Sequence, residues 1–155
     1  DKAGNTETKQ IEVTGTTIDF ESDEEIEKIE KNQKQYLILS KEFNVEGIKN
    51  KFKEIKDIKI VKSNSEERTE GNVVTGDKII RNKTEYTIIL KGDIDCNGKI
   101  DIDDMFKLNK YRLGKQELTD IEMLAGDANE DGKVDIDDMF LINKYRLKKV
   151  QLLKK

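Results

Sequence analysis

The chain has 155 residues, with 33 acids against 29 bases, a formal charge of -4, one Cys and no His, Pro or Trp. Without imidazole there is no Ser-His-Asp or Cys-His nucleophile pair and no His-containing zinc site, and a single thiol makes neither a four-thiolate zinc site nor an internal disulfide. Interspersed lysines argue against a nucleic-acid footprint, no run approaches the roughly 18 apolar residues of a membrane span, and Asp1 begins no recognisable signal peptide. Hydrophobic residues make up only 34%, but disorder also requires a high net charge, so the chain is expected to fold, marginally, as one domain or two small ones. Residues 1–91 hold 19 acids and 17 bases and residues 92–155 hold 14 and 12. Each part is therefore at -2, and net charge separates nothing.

In chain order, IEVTGTTIDF (11–20) alternates weakly, and SDEEIEKIEKNQK (22–34) is charged and reads as either helical or extended. YLILS (36–40) reads as a short buried strand. Val45, Ile48, Phe52 and Ile55 fall at helical spacing behind Asn44, a suitable N-cap. IKIVK (58–62) reads as a strand and SNSEERTEGN (63–72) as a polar loop. Two further strands are expected near 77–81 and 84–91, joined by a tight turn at Asn82 and Lys83. This strand-helix-strand-hairpin order predicts a small α+β module with a mixed sheet and one helix.

Beyond residue 91 the chain repeats itself. GDIDCNGKIDIDDMFKLNKYRLG (92–114) returns 34 residues later as GDANEDGKVDIDDMFLINKYRLK (126–148), with 15 of 23 positions identical. Helical solenoids of that period need three or more copies, so a duplicated pair closing on itself is the better reading. Each copy opens with oxygen-bearing side chains at alternate positions. Asp93, Asp95 and Asn97 take positions 1, 3 and 5 of the first loop, with Gly98, Lys99, Asp101 and Asp104 at 6, 7, 9 and 12. Asp127, Asn129, Asp131, Gly132, Lys133, Asp135 and Asp138 repeat that register.

This is the pattern of a calcium loop. Side chains at 1, 3 and 5 converge on one ion, glycine permits the turn that brings the position 7 carbonyl inward, position 9 acts commonly through water, and position 12 closes the shell. All-oxygen ligation suits a hard cation, and calcium accepts 6 to 8 such ligands where magnesium wants a strict octahedron. Position 12 is Asp instead of the usual Glu, so the helix must approach closer or leave room for water. Two calcium ions would bring the chain from -4 to zero, and folding of 92–155 is expected to depend on them. An acidic loop that merely caps a helix is the bland alternative; it leaves the glycines and the repeat unexplained.

Each loop runs into a helix, DDMFKLNKYRL or DDMFLINKYRL, with acids in its first turn and bases toward its end. The segment before Asp93, TEYTIILKG, reads as a strand, so a helix leading into each loop is not expected. Two such loop-helix halves with a linker helix near 117–124 resemble the type I-like dockerin, over 92 to about 150. The resemblance implies an all-α module that docks its parent protein, noncatalytically, onto a cohesin domain of a scaffold or cell-surface protein. It also implies a secreted or surface-attached bacterial setting. Its partner-facing positions would be Ile102, Asp103, Phe106, Lys107, Lys110 and Gly114 in the first half. In the second they would be Ile136, Asp137, Phe140, Leu141, Lys144 and Lys148. Small hydroxyl or alanine-type residues are frequent at the first two of these positions in the best-known groups, and Ile-Asp here departs from them.

Helical periodicity offers an independent check. It assigns Met105, Leu108, Met139 and Ile142 to the core, and Phe106 and Phe140 to a rim or interface, the alternative being that all are core. Because the two helices nearly coincide in sequence, a half-turn would present an equivalent surface, hence two docking orientations.

TGDKI and EYTIILKGD make residues 32–91 similar to the X-like module that precedes dockerins. That likeness implies a bracing role, with Ile89, Leu90, Leu152 or Leu153 near the contact, and leaves 1–31 as a linker or an extra strand or helix. Cys96, at loop position 4, is expected to face solvent as an incidental thiol. Two other readings stand beside docking: a structural calcium clasp and a calcium sensor, the latter disfavoured by only three Met where sensors expose a Met-rich groove.

Overall fold

The structure is a computed structural model that describes residues 25–52, 58–81 and 83–147. Strands β1 (Ile26–Lys31), β2 (Lys34–Leu39), β3 (Lys59–Val61), β4 (Lys78–Arg81) and β5 (Thr84–Leu90) form one five-stranded mixed sheet in the order β1-β2-β5-β4-β3. Helix α1 (Val45–Asn50) lies between β2 and β3, and α2 (Ile102–Arg112), α3 (Asp120–Gly126) and α4 (Ile136–Arg146) follow the sheet.

The segment that sequence left between helix and extended chain is β1, paired antiparallel along its length with β2. Ile26 and Ile29, three apart, imitate helical spacing, but Asn32 and Gln33 both adopt positive φ, 53° and 67°. A two-residue turn of that hand fits the twist of a hairpin and forces the two flanking strands together. The central strands β2 and β5 run parallel, with Tyr36 to Leu39 opposite Thr87 to Leu90. Their near-continuous apolar runs follow from burial on both faces.

One face carries Leu37, Leu39, Ile88 and Leu90, clustered with Ile48 and Phe52 from the α1 region. The expected helix begins at Val45, with the Asn44 carboxamide oxygen accepting from Gly47 N at 2.7 Å; Ile55 lies outside the described residues. The same cluster continues without a break into Ile94, Ile100, Leu108, Ala128, Val134 and Ile142. The opposite face carries Tyr36, Ile38 and Ile89, packed with Ala125, Ile121 and Leu124 of α3. One helix of the C-terminal unit thus roofs the sheet of the N-terminal one.

The linker helix starts at Asp120, three residues later than its expected start near 117, because Thr119 caps it: Glu122 N donates to Thr119 Oγ1 and Thr119 N to the Glu122 carboxylate. It runs directly into the second loop, so a helix leads into that loop and a strand into the first. Leu108 and Ile142 are fully buried and Met105 and Met139 half-buried against the core, while Phe106 and Phe140 remain exposed.

Candidate metal loops and exposed helix faces

Both loops close by the same hydrogen bonds. In the first, the Asp93 carboxylate accepts from Asn97 N (2.9 Å) and Gly98 N (3.0 Å). In the second, Asp127 accepts from Asp131 N (3.1 Å) and Gly132 N (2.9 Å). Asp104, at position 12, accepts from Asp95 N (3.0 Å) and Asp101 N (2.9 Å), binding the front of the loop to the first turn of α2. Asp138 does the same with Asn129 N (3.1 Å) and Asp135 N (2.8 Å). Position 9 doubles as the helix N-cap: Asp101 accepts from Asp103 N and Asp135 from Asp137 N, each at 3.1 Å. Asn97 and Asp131, at position 5, accept from Lys99 N and Lys133 N, both at 2.9 Å.

Chain geometry explains the spacing. Residues Cys96 and Glu130 at position 4 (φ 63° and 61°) and the glycines at position 6 (φ 84° and 88°) adopt left-handed backbone in both copies. Two reversals within three residues turn alternate side chains inward, and glycine takes such a conformation without steric cost.

Carboxylate oxygens of Asp93, Asp95 and Asp104 lie within 4.8 Å of one another, as do those of Asp127, Asp131 and Asp138. Asp95 also approaches Asp101 and Asp103. Burial pushes Asp104 up to about 8 and Asp93 up to about 6, against backbone hydrogen bonds that pull them down. Asp138 rises to about 6, again chiefly by burial, whereas Asp131 is held below the usual range by the Lys133 N–H. Asp95 Oδ1 is buried and has no hydrogen-bond partner among the described residues. An orphaned carboxylate oxygen facing two further carboxylates is costly unless a cation joins it. The donor set is oxygen-only, and the residues present fit a hard divalent ion.

Surroundings separate the loops. Asp93 is fully buried and accepts a third hydrogen bond from Thr75 N (3.0 Å), in the segment before β4. Asn72 Nδ2 donates to Gly98 O (3.1 Å), and Ile100 N donates to the Glu42 carboxylate (2.9 Å). A Cβ on Gly98 would lie 2.9 Å from Val74 Cγ1 and 3.1 Å from Val73 O; one on Gly132 would meet nothing within 4 Å. Asp127 is half-buried and residues 129–133 are exposed. Lys91, only 4% exposed, donates from Nζ to Asp127 O at 2.6 Å and lies 3.6 Å from Glu130; burial lowers its pKa. Asn72, Thr75, Glu42 and Lys91 escaped the sequence reading. A lysine ending an apolar strand was the one available signal.

Along the helices, Ile102 and Ile136 are 44% and 40% exposed, Phe106 and Phe140 59% each, and Leu113 and Leu147 57% and 52%. Asp103, Lys110, Gly114, Asp137 and Lys144 are exposed around them. Lys107 is half-buried, ion-paired to Glu122 at 2.8 Å, and Leu141 packs partly against the core. Lys148, Leu152 and Leu153 lie outside the described residues. Cys96 does not face solvent freely: it is half-buried, and burial pushes its thiol up to about 12. Among the described residues, no helix is long and apolar enough to cross a membrane.

Residues 91–147 match the family model of the dockerin type I domain. This stretch is therefore a dockerin type I domain, and such domains are in general noncatalytic modules that bind calcium and a cohesin partner. No curated protein and no solved structure matches the chain.

Proposed function

We propose that this chain docks its parent secreted protein onto a cohesin domain of a bacterial scaffold or cell-surface protein, through two calcium-loaded loop-helix halves. Asp93, Asp95, Asn97, Asp104 and the Lys99 carbonyl would hold one ion, with Asp101 through water. Asp127, Asn129, Asp131, Asp138, the Lys133 carbonyl and Asp135 would hold the other. Calcium supplies the positive charge that lets three carboxylates per loop share one point, and so fixes the helix that each loop caps.

The observation that carries the docking reading is the matched exposure of three apolar side chains on each helix, Ile102, Phe106 and Leu113 against Ile136, Phe140 and Leu147. Exposed apolar patches rimmed by polar residues mark interaction sites, and aromatic anchors dominate interface energy. Asp103 and Lys110, with Asp137 and Lys144, would supply a polar rim. Lys107 and Leu141 would contribute at its edge, beside Gly114 and Lys148. Since both helices leave the same residues exposed beside the sheet module, either orientation can present a docking face. Residues 32–91 act as an X-like brace, supported by the shared core and by the α3 roof over the sheet.

Capture on immobilised cohesins tests this reading. Binding in calcium that disappears in excess chelator is expected, and loss of binding in a Phe106→Ala/Phe140→Ala double variant. Equal capture by that variant, or capture indifferent to chelator, would contradict it.

A further inference from the structure

We infer that the two calcium sites are unequal, and that Glu42, Asn72 and Thr75 are positioning residues for the first alone; this rests on the calcium reading above. Formal charge does not distinguish the loops, because each offers three carboxylates and one carboxamide among positions 1, 3, 5 and 12. Hydrogen bonds from outside the loop do. The sheet module holds the first loop at three successive places: the position 1 carboxylate through Thr75 N, the position 6 carbonyl through Asn72, and the position 8 N–H through Glu42.

The Thr75 anchor is itself fixed. Asp77, almost fully buried, accepts from Arg68 Nε at 2.6 Å and from Val74 N at 2.9 Å. Thr75 Oγ1 accepts from Leu90 N at 3.0 Å, and Gly76 N donates to Ile88 O at 2.9 Å. The segment that reaches Asp93 is thus tied to the central strand at Leu90, three residues before the loop begins. Ligands held by such outer partners lose less freedom when an ion binds, and disturbing those partners typically costs about ten- to a hundredfold in metal affinity.

The second loop meets a different neighbour. Its Asp127 carboxylate accepts from within the loop, at Asp131 N and Gly132 N. The Lys91 ammonium donates to the Asp127 backbone carbonyl and places a positive charge beside the loop, which opposes a second cation there. The first loop therefore fills at lower calcium and releases its ion more slowly. The second loop sets the calcium level at which both helices are in place, and hence the level at which the second docking orientation becomes available.

Mixing the calcium-loaded full chain with an excess of fluorescent chelator in a stopped-flow instrument reads the two sites separately. Two phases of equal amplitude are expected, the slower about ten- to a hundredfold below the faster. Asp138→Asn should remove the fast phase and leave the slow one. A Glu42→Ala/Asn72→Ala double variant should accelerate the slow phase by about tenfold or more and leave the fast phase unchanged. Glu42→Gln, whose amide oxygen still accepts from Ile100 N, should behave as the wild type. If the double variant does not fold, Asn72→Ala alone makes the same comparison. Release of both ions at one rate, loss of the slow phase in Asp138→Asn, or equal acceleration of both phases would overturn the inference while leaving calcium binding intact. A chain that carries no calcium overturns the calcium reading and this inference together.

Discussion

Asp93 and Asp127 open the same motif 34 residues apart, yet the first is sealed beneath the sheet module and the second lies half in solvent. The hydrogen bonds that close the two loops correspond, with Asn129–Asp131 bonds added in the second, so the ligand register is a property of the local sequence. What differs is supplied from residues 42–75 and from Lys91, whose placement is a property of the whole fold. A duplicated motif is thus not a duplicated site: the tertiary environment can tune one copy while the other keeps the plain behaviour of the loop.

The largest way to break this contrast is through Asp77. Replacing it with Ala removes the partner of Arg68 and the acceptor for Val74 N. A broken buried pair costs about 3 to 5 kcal/mol, and the lower end applies here because the Arg68 side chain is partly exposed. Urea unfolding should show that loss, and calcium release from the first loop should quicken while the second keeps its rate.

Glycine substitutions come next. Gly98→Ala forces a Cβ against Val74 and the Val73 carbonyl in a left-handed conformation, whereas Gly132→Ala carries only the conformational cost. That cost is about 1 to 2 kcal/mol, and overpacking adds a further 1 to 3 or so. Thermal unfolding of the two variants should rank them in that order; equal losses would mean that the sheet module does not press on the first loop.

A pH effect should follow in size. Asp104, Asp93 and Asp138 have folded pKa values raised to about 8, 6 and 6, so the folded calcium-free chain binds protons that the unfolded chain has released. Stability from these groups is complete below their ordinary pKa near 4 and is lost as pH rises through 6 and then 8. The urea midpoint in chelator should therefore fall from pH 4.5 to pH 8.5. Excess calcium should flatten the trend, because ion-bound carboxylates are already ionised.

Smallest in stability are the exposed phenylalanines. Phe106→Ala or Phe140→Ala should change the unfolding free energy by no more than about 0.5 kcal/mol, as surface changes do. If either half can dock, each single variant should still bind cohesin, and only the double variant should lose binding. A single substitution that abolishes binding would restrict docking to one half.

Much of this was legible in the chain. The repeat, the alternate oxygen ligands, the glycines at position 6, the Asn44 cap and the buried strands YLIL and YTIIL each carry a local signal that the fold obeys. The outward phenylalanines were readable as a rim because the apolar arc of each helix is too broad for one seam. Strand β1 was ambiguous, since its pattern IEKIEK offers isoleucines three apart and charges everywhere else. The start of α3 was misplaced because a Thr119 capping box outweighs the helix-forming Glu117. Cys96 was expected to face solvent, and no local rule places the chain that half-covers it. The inequality of the loops could not be read at all: it arises where SNSEERTEGN and the residues after it, a polar stretch without periodicity, fold back over Gly98.

Titration calorimetry of the calcium-free chain with calcium tests the central claim most directly. Two ions per chain should bind in two resolvable steps, with Asp138→Asn losing the weaker step and residues 92–147 gaining resistance to urea at the stronger step and again at the weaker one. A chain that folds equally well in excess chelator, or that binds fewer than two ions or two in indistinguishable steps, would contradict the account.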